Sequence, residues 1–175
     1  MIDFINVLID KDAAYVANGN VLFRVKSFKN YGILSERIIQ EQDSGSRVDV
    51  ETYKEDPNDF TLWKPSTDDE PGWDSPWGLG RPGWHLECSV MSEIVLGVPF
   101  DIHGGGNDLK FPHHDNEIAQ TCAYHSNESA ESFAKYWFHN GFLNLDNEKM
   151  SKSLGNVVYI DDLKKNFKGN EIRLA

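Results

Sequence analysis

Two lysines and two serines surround one methionine in Lys149-Met150-Ser151-Lys152-Ser153, and Leu154-Gly155-Asn156 follows directly. These residue types suit the polyphosphate of a nucleotide. Ammonium groups can follow phosphate charge as it develops, while hydroxyls and backbone N–H groups add directional donors. The chemistry indicated is ATP binding, with Lys149 and Lys152 as candidate catalytic charges and Met150, Ser151 and Ser153 completing a flexible loop. A pentapeptide with two lysines, taken alone, also reads as a solvated basic turn, so its company decides.

That company includes Cys88, His113 and Glu117. A thiolate, an imidazole and a carboxylate together suit zinc. His113 and Glu117 are four residues apart on a predicted helix and so share a face, and Cys88 falls near the start of a neighbouring helix. Spacing alone leaves two plainer readings open: a cysteine that only fills core, and a surface His-x-x-x-Glu pair. Neither His-Glu-x-x-His nor His-x-x-Glu-His can be read from His113-His114-Asp115-Asn116-Glu117, so a zinc peptidase has no motif support. Cys122 reads as core. His125 and His139 have no visible partner and read as structural, and His85 either orients the Cys88 segment or simply packs.

The elements that must position these groups follow from periodicity and turn residues. Phe4 to Leu8 form an apolar helical stripe ending near Asp10-Lys11, and Asn18-Gly19 marks a hairpin whose returning strand is Val21 to Val25. Tyr31 to Ile39 has helical spacing, Gln40 to Arg47 reads as a polar loop, and Phe60 to Lys64 as a buried strand. From Pro65 to Gly83 a mixture of Pro, Gly and Trp predicts an ordered irregular loop. Glu87 to Leu96 reads as a helix ended by Gly97, and Pro99 to His103 as a strand running into a loop of Gly104, Gly105 and Gly106. Strand, glycine loop and helix, here Asn116 to Tyr124, place a ribose or phosphate beyond the carboxyl end of a parallel strand. Tyr136 to His139 is the next strand, and Asp161 to Ala175 begins another helix.

Composition bounds the rest. The 175 residues suffice for one domain with a sizeable core or for two small lobes. Hydrophobic residues make up 39% and charged residues 26%, with no apolar run long enough to cross a bilayer and no secretory leader, which predicts a cytoplasmic location. Two cysteines are too few for a disulfide scaffold. The formal charge of −11 disfavours direct grip on a phosphate backbone.

The lysine loop, together with Gly80-Arg81-Pro82-Gly83-Trp84-His85-Leu86-Glu87-Cys88-Ser89 and Phe111-Pro112-His113-His114-Asp115-Asn116-Glu117, resembles class I aminoacyl-tRNA synthetases, and in particular the cysteinyl-tRNA synthetases. The resemblance implies an α/β fold: the C-terminal half of a Rossmann-like catalytic domain with an inserted α+β connective domain. Residues 1–66 would be the insertion, 67–160 the second half of the catalytic domain, and 161–175 the start of a helical region. It implies ATP-dependent activation of cysteine and transfer to tRNA(Cys) in an intact enzyme, with Mg2+ accompanying ATP. It further implies one zinc held by Cys88, His113 and Glu117, an amino-acid pocket with Trp84 and His103, and an adenosine site with Gly104, Gly105 and Asp108. The family's upstream cysteine ligand and its His-Ile-Gly-His motif do not occur in the sequence, so the chain is expected to be a truncated segment, inactive alone. Two alternatives remain: the related ligase that joins cysteine to a glucosaminyl-inositol, and a non-catalytic binding fragment.

Overall fold

The computed structural model describes residues 1–37, 52–142, 144–145 and 148–174. They fall into two compact units, Met1–His139 and Asn140–Ala175. In the first, helix α1 (Ile2–Asp10) buries Phe4, Ile5 and Leu8, the stripe its spacing predicts. The Asn18-Gly19 turn joins β1 (Ala14–Ala17) to β2 (Asn20–Phe23), with both turn residues at positive φ as a tight hairpin requires. β3 (Phe60–Pro65) and β4 (Gly80–Pro82) complete an antiparallel sheet in the order β1-β2-β3-β4. The irregular stretch after Pro65 therefore contains a short strand that its composition hides. Trp73 bridges back to Gly80, so the intervening loop folds as a closed excursion.

Helix α2 (Trp84–Leu96) leaves this sheet directly. Its cap residue Gly83 donates its N–H to Leu62 O at 2.8 Å, and a Cβ there would lie 2.1 Å from Thr61 O, so only glycine lets the helix start this close to β3. β5 (Phe100–Gly106), helix α3 (Asp115–His125) and β6 (Ala134–Asn140) follow. Phe100 N donates to Phe133 O, Lys135 pairs with Asp101 at 2.8 Å, and Gly104 faces Phe138. These contacts advance in the same direction along both strands, which makes β5-α3-β6 a parallel crossover unit.

Three expectations change. Residues 31–36 are turns rather than helix and Arg37 is irregular, because Gly32 (φ 84°) and Glu36 (φ 60°) adopt left-handed conformations that interrupt it; residues 38–39 of the predicted helix, and the polar loop from Gln40, lie outside the described residues. The three glycines belong to β5 instead of following it. Residues 161–174 hold two short helices, α4 (Ile160–Leu163) and α5 (Gly169–Leu174), rather than the start of one.

α3 is the centre of the first unit. Every residue from Asp115 to Cys122 is buried, although the run includes Asp115, Asn116, Glu117, Gln120 and Thr121. Polar groups this deep cost free energy unless partnered, so the helix is the natural place to look for a site.

Candidate functional site

Cys88 and His85 project from the first turns of α2, and Glu117 from the first turn of α3. His113 and His114 sit one step earlier, in a π-type turn over Lys110–His114 where Phe111 is extended (φ −137°, ψ 134°). Here the sequence expectation needs adjusting: His113 is not on a regular helix, yet the turn still delivers it to Glu117. The candidate ligand atoms of Cys88, His113 and Glu117 all lie within 4.8 Å of one another. His113 Nε2 stands 3.6 Å from Glu117 Oε1, beyond hydrogen-bond reach.

Each group is held by neighbours. His113 Nδ1 pairs with His85 Nδ1 at 2.6 Å, and its ring stacks on Trp84 with centroids 4.0 Å apart. Gln120, fully buried, donates through Nε2 to His85 O and to Ser89 Oγ, each at 2.6 Å, which ties the first turns of α2 to α3. His103, on β5, pairs through Nε2 with Glu117 Oε2 at 2.9 Å. On the other side of α3 the turn is tied to residues 31–34: Leu34 N donates to Asp115 Oδ1 at 3.1 Å, and the Tyr31 hydroxyl donates to Asn116 Oδ1.

Electrostatics set the protonation states. Burial, then the Glu117 and Glu87 charges, push the Cys88 thiol up to about 11, so without a cation it keeps its proton. Burial lowers His113, although Glu117 opposes the shift. Burial, reinforced by His113, takes His85 down to about 4. His114 falls to about 3 through burial and the nearby His103 and His139. Three of these imidazoles are therefore neutral at pH 7, the form that binds metal.

Several buried side-chain polar atoms among the described residues lack a hydrogen-bond partner, and one of them lies inside the candidate ligand set. Glu117 Oε1 is buried and accepts no hydrogen bond. An orphaned carboxylate oxygen is costly, and a cation placed among Cys88, His113 and Glu117 would satisfy it. The donor set and its compactness thus fit zinc.

Other site residues are placed as follows. Trp84 is 55% exposed while stacked on His113, a geometry suited to a pocket wall. Gly104 is exposed on β5, Gly105 packs against His114, and the exposed Asp108 lies in the turn after Gly106. In the second unit Glu148 and Lys149 form the short strand β8, antiparallel to β7 (Asn144–Leu145). A turn then takes over: Asn156 Oδ1 accepts from Ser151 N at 2.8 Å, the Ser151 and Ser153 hydroxyls are 3.1 Å apart, and Met150 Sδ accepts from Val158 N at 3.3 Å. Lys152 is exposed.

Sequence reasoning missed several partners. His139, read as lacking one, bonds through Nε2 to His114 Nδ1 at 2.8 Å, and His125 pairs with Glu93 at 3.0 Å. Gln120 was not singled out either; polar residues within a helix lacking an amphipathic stripe are the signal that would have found it.

A family model described as tRNA synthetases class I (C) catalytic domain matches residues 1–175. The chain belongs to this family. It is 55% identical over 176 residues to the cysteine--tRNA ligase of Phenylobacterium zucineum (strain HLK1), with 100% of this chain and 37% of that protein covered. It is 57% identical over 176 residues to the cysteine--tRNA ligase of Pelagibacter ubique (strain HTCC1062), covering 100% of this chain and 38% of the relative. The corresponding protein of Paramagnetospirillum magneticum (strain ATCC 700264 / AMB-1) is 58% identical over 176 residues, with 100% and 37% covered. The chain thus spans little more than a third of the length of these relatives. Its fold is accordingly the α/β fold of a class I synthetase catalytic domain. Among the described residues no helix is long and apolar enough to cross a membrane.

Proposed function

We infer that this chain forms part of a cysteine--tRNA ligase and carries its amino-acid pocket and one side of its ATP site. The observation that carries this reading is the convergence of Cys88, His113 and Glu117 around a buried carboxylate oxygen with no protein partner. The names of the similar proteins support the same conclusion.

The whole reaction would join the cysteine carboxylate to the ATP α-phosphorus, releasing pyrophosphate, and then pass the acyl group to a tRNA ribose hydroxyl, releasing AMP and the hydroxyl proton. Neither step needs a protein nucleophile. Zinc, when bound, would supply a Lewis acid that recognises the substrate sulfur as its thiolate. Cys88, His113 and Glu117 would hold it, with His85 and His103 fixing the orientation of His113 and Glu117. Trp84 would wall the pocket. Gly104, Gly105 and Asp108 would receive the adenosine, and Mg2+ would accompany ATP. Lys149 and Lys152, with Met150, Ser151 and Ser153, would follow charge onto the leaving pyrophosphate from a loop that is mobile without nucleotide.

We assign residues 1–66 to the inserted connective domain, 67–160 to the second half of the catalytic domain and 161–175 to the start of a helical region. β4 (Gly80–Pro82) pairs with β3 across the first boundary, so that assignment rests on the family resemblance rather than on a break in the sheet. A charge of −11 argues that this part does not grip the tRNA backbone by itself, and the cytoplasm is the location that fits tRNA charging. The 175 residues include no His-Ile-Gly-His sequence, so alone they should not form the adenylate. The test is cysteine-dependent exchange of pyrophosphate into ATP. It should be undetectable for this chain yet present in the full-length protein, and it should be lost there on Lys152→Ala; exchange that survives that substitution would refute the role given to the loop.

A further inference from the structure

Glu117 faces two sets of donors, and the second set differs from the first in both residues and chemistry. Its Oε1 points at His113 Nε2, 3.6 Å away, and its Oε2 at His103 Nε2, 2.9 Å away. The candidate ligand atoms of His103, His114 and Glu117 also lie within 4.8 Å of one another. Both sets share a supporting pattern. Among the first, His113 spends Nδ1 on His85 and turns Nε2 towards the carboxylate. Among the second, His114 spends Nδ1 on His139, which leaves Nε2 as the ring atom available for a ligand. A histidine that engages one nitrogen with a neighbour and offers the other is the arrangement found at metal ligands.

Space beside His114 points the same way. A Cβ on Gly105 would come within 3.2 Å of His114 Nε2 and 3.1 Å of Cε1, so the glycine keeps that edge of the ring clear. His114 and Glu117 are buried while the His103 side chain is 18% exposed, so the set combines fixed donors with one accessible edge.

We propose that His103, His114 and Glu117 form a second divalent-metal position, all nitrogen and oxygen, with Glu117 bridging it to the Cys88–His113 position. The class of ion is a borderline one such as Zn2+ or Co2+, which imidazole and carboxylate favour. Ligand atoms on one tetrahedral zinc lie roughly 3.3 Å apart, so the His103–Glu117 pair must open by roughly 0.4 Å to admit the ion. That opening trades a hydrogen bond for a metal bond, and the second ion should bind more weakly than the first. Loading it also engages His103, so the ion and a pocket role for His103 exclude one another. The proposal shares Glu117 with the function inferred above but depends on His103 and His114, and the two can fail separately.

The experiment is titration of the 175-residue chain with Co2+ or Zn2+ alone, counting equivalents by calorimetry and following cobalt absorption. Two equivalents per chain are expected. The tighter should show sulfur-to-cobalt charge transfer, and the weaker only ligand-field bands. Cys88→Ser should abolish the charge-transfer band and leave the sulfur-free equivalent. His103→Ala should remove the sulfur-free equivalent and leave the band. Should His103→Ala not fold, Gly105→Ala decides, because its methyl would cover His114 Nε2. His125→Ala, at the separate His125–Glu93 pair, should change neither. A single equivalent in the parent would overturn the proposal, as would a second equivalent that survives Gly105→Ala or disappears with His125→Ala.

Discussion

The two units bring chemistry together in opposite ways. In residues 1–139 the candidate ligands sit on or beside a helix buried from Asp115 to Cys122, and neighbouring side chains fix nearly every ring and carboxylate. From residue 140 onward no residue whose exposure is described is buried, and Leu154, Tyr159, Ile160 and Phe167 are exposed. The serines of that loop bond to each other and to nearby backbone. The amino-acid pocket proposed above would gain from such rigidity, because its donors would pay no reorganisation on binding. The phosphate-binding role proposed for the loop would gain from few buried contacts, since closing elements come from the low-stability end of a fold.

The largest effect should separate the units by stability. Ile118→Ala, deep in α3, should cost about 2–5 kcal/mol. Leu154→Ala, at a residue 60% exposed, should stay within about 0.5 kcal/mol. Urea unfolding followed by circular dichroism measures both. Comparable losses would mean that the second unit carries a core of its own and that the contrast is false.

Metal binding should follow the same division. Cys88→Ser should lower zinc affinity more than about 100-fold, since losing a direct ligand exceeds the usual cost of losing an outer partner. Lys152→Ala should leave that affinity unchanged. Because burial and Glu117 hold the Cys88 proton on until about pH 11, zinc must displace it at neutral pH. Apparent affinity should therefore rise about tenfold per pH unit between roughly pH 7 and 9, with about one proton released per thiolate site. Chelator competition at several pH values checks the slope; a flat profile would remove Cys88 from the ligand set.

How much of this was legible in the sequence depends on the range of the contacts involved. The Asn18-Gly19 hairpin and the α1 stripe were readable because local residues determine them. Cys88, His113 and Glu117 were readable as a set because residue type and family resemblance name them without coordinates. The pairs His85 with His113, His114 with His139 and His125 with Glu93 were not, since the partners lie 25 to 32 residues apart and meet only when separate elements pack together. β4 escaped because Gly80-Arg81-Pro82 has neither strand propensity nor alternation, and it exists only by pairing with Trp63 to Pro65.

Acid should also distinguish the units. Burial holds His85 at about 4 and His114 at about 3, whereas an unfolded histidine titrates near 6.5. As pH falls from about 6.5 towards 4, the unfolded chain takes up protons that the folded chain refuses, so stability is lost across that window by about 1–3 kcal/mol in metal-free protein. All six histidines lie at or before His139, so the first unit alone should respond. Chemical denaturation in chelator at pH 7 and at pH 4.5 gives the difference. A stability that rises on acidification would mean that these rings are charged in the folded state.

The smallest effect concerns the tie between residues 31–34 and the turn that presents His113. The Tyr31 hydroxyl donates to Asn116 Oδ1, one residue before Glu117, and burial raises its pKa well above the ordinary tyrosine range. It therefore remains a protonated donor throughout the accessible pH range. Tyr31→Phe removes that donor and keeps the ring against Phe111, so packing is preserved and the loss should be about 1 kcal/mol, a single hydrogen bond. Asn116 precedes Glu117 on a helix also held by Gln120 and by Leu34 N, so the carboxylate should shift little and zinc affinity should fall by less than about threefold. Ser151→Ala in the second unit removes comparable hydrogen bonds at an exposed position and should cost within about 0.5 kcal/mol. If Tyr31→Phe were as neutral as Ser151→Ala, this tie would contribute no more to the rigid site than an exposed loop contact does, and the order around Glu117 would rest on α2, α3 and His103 of β5.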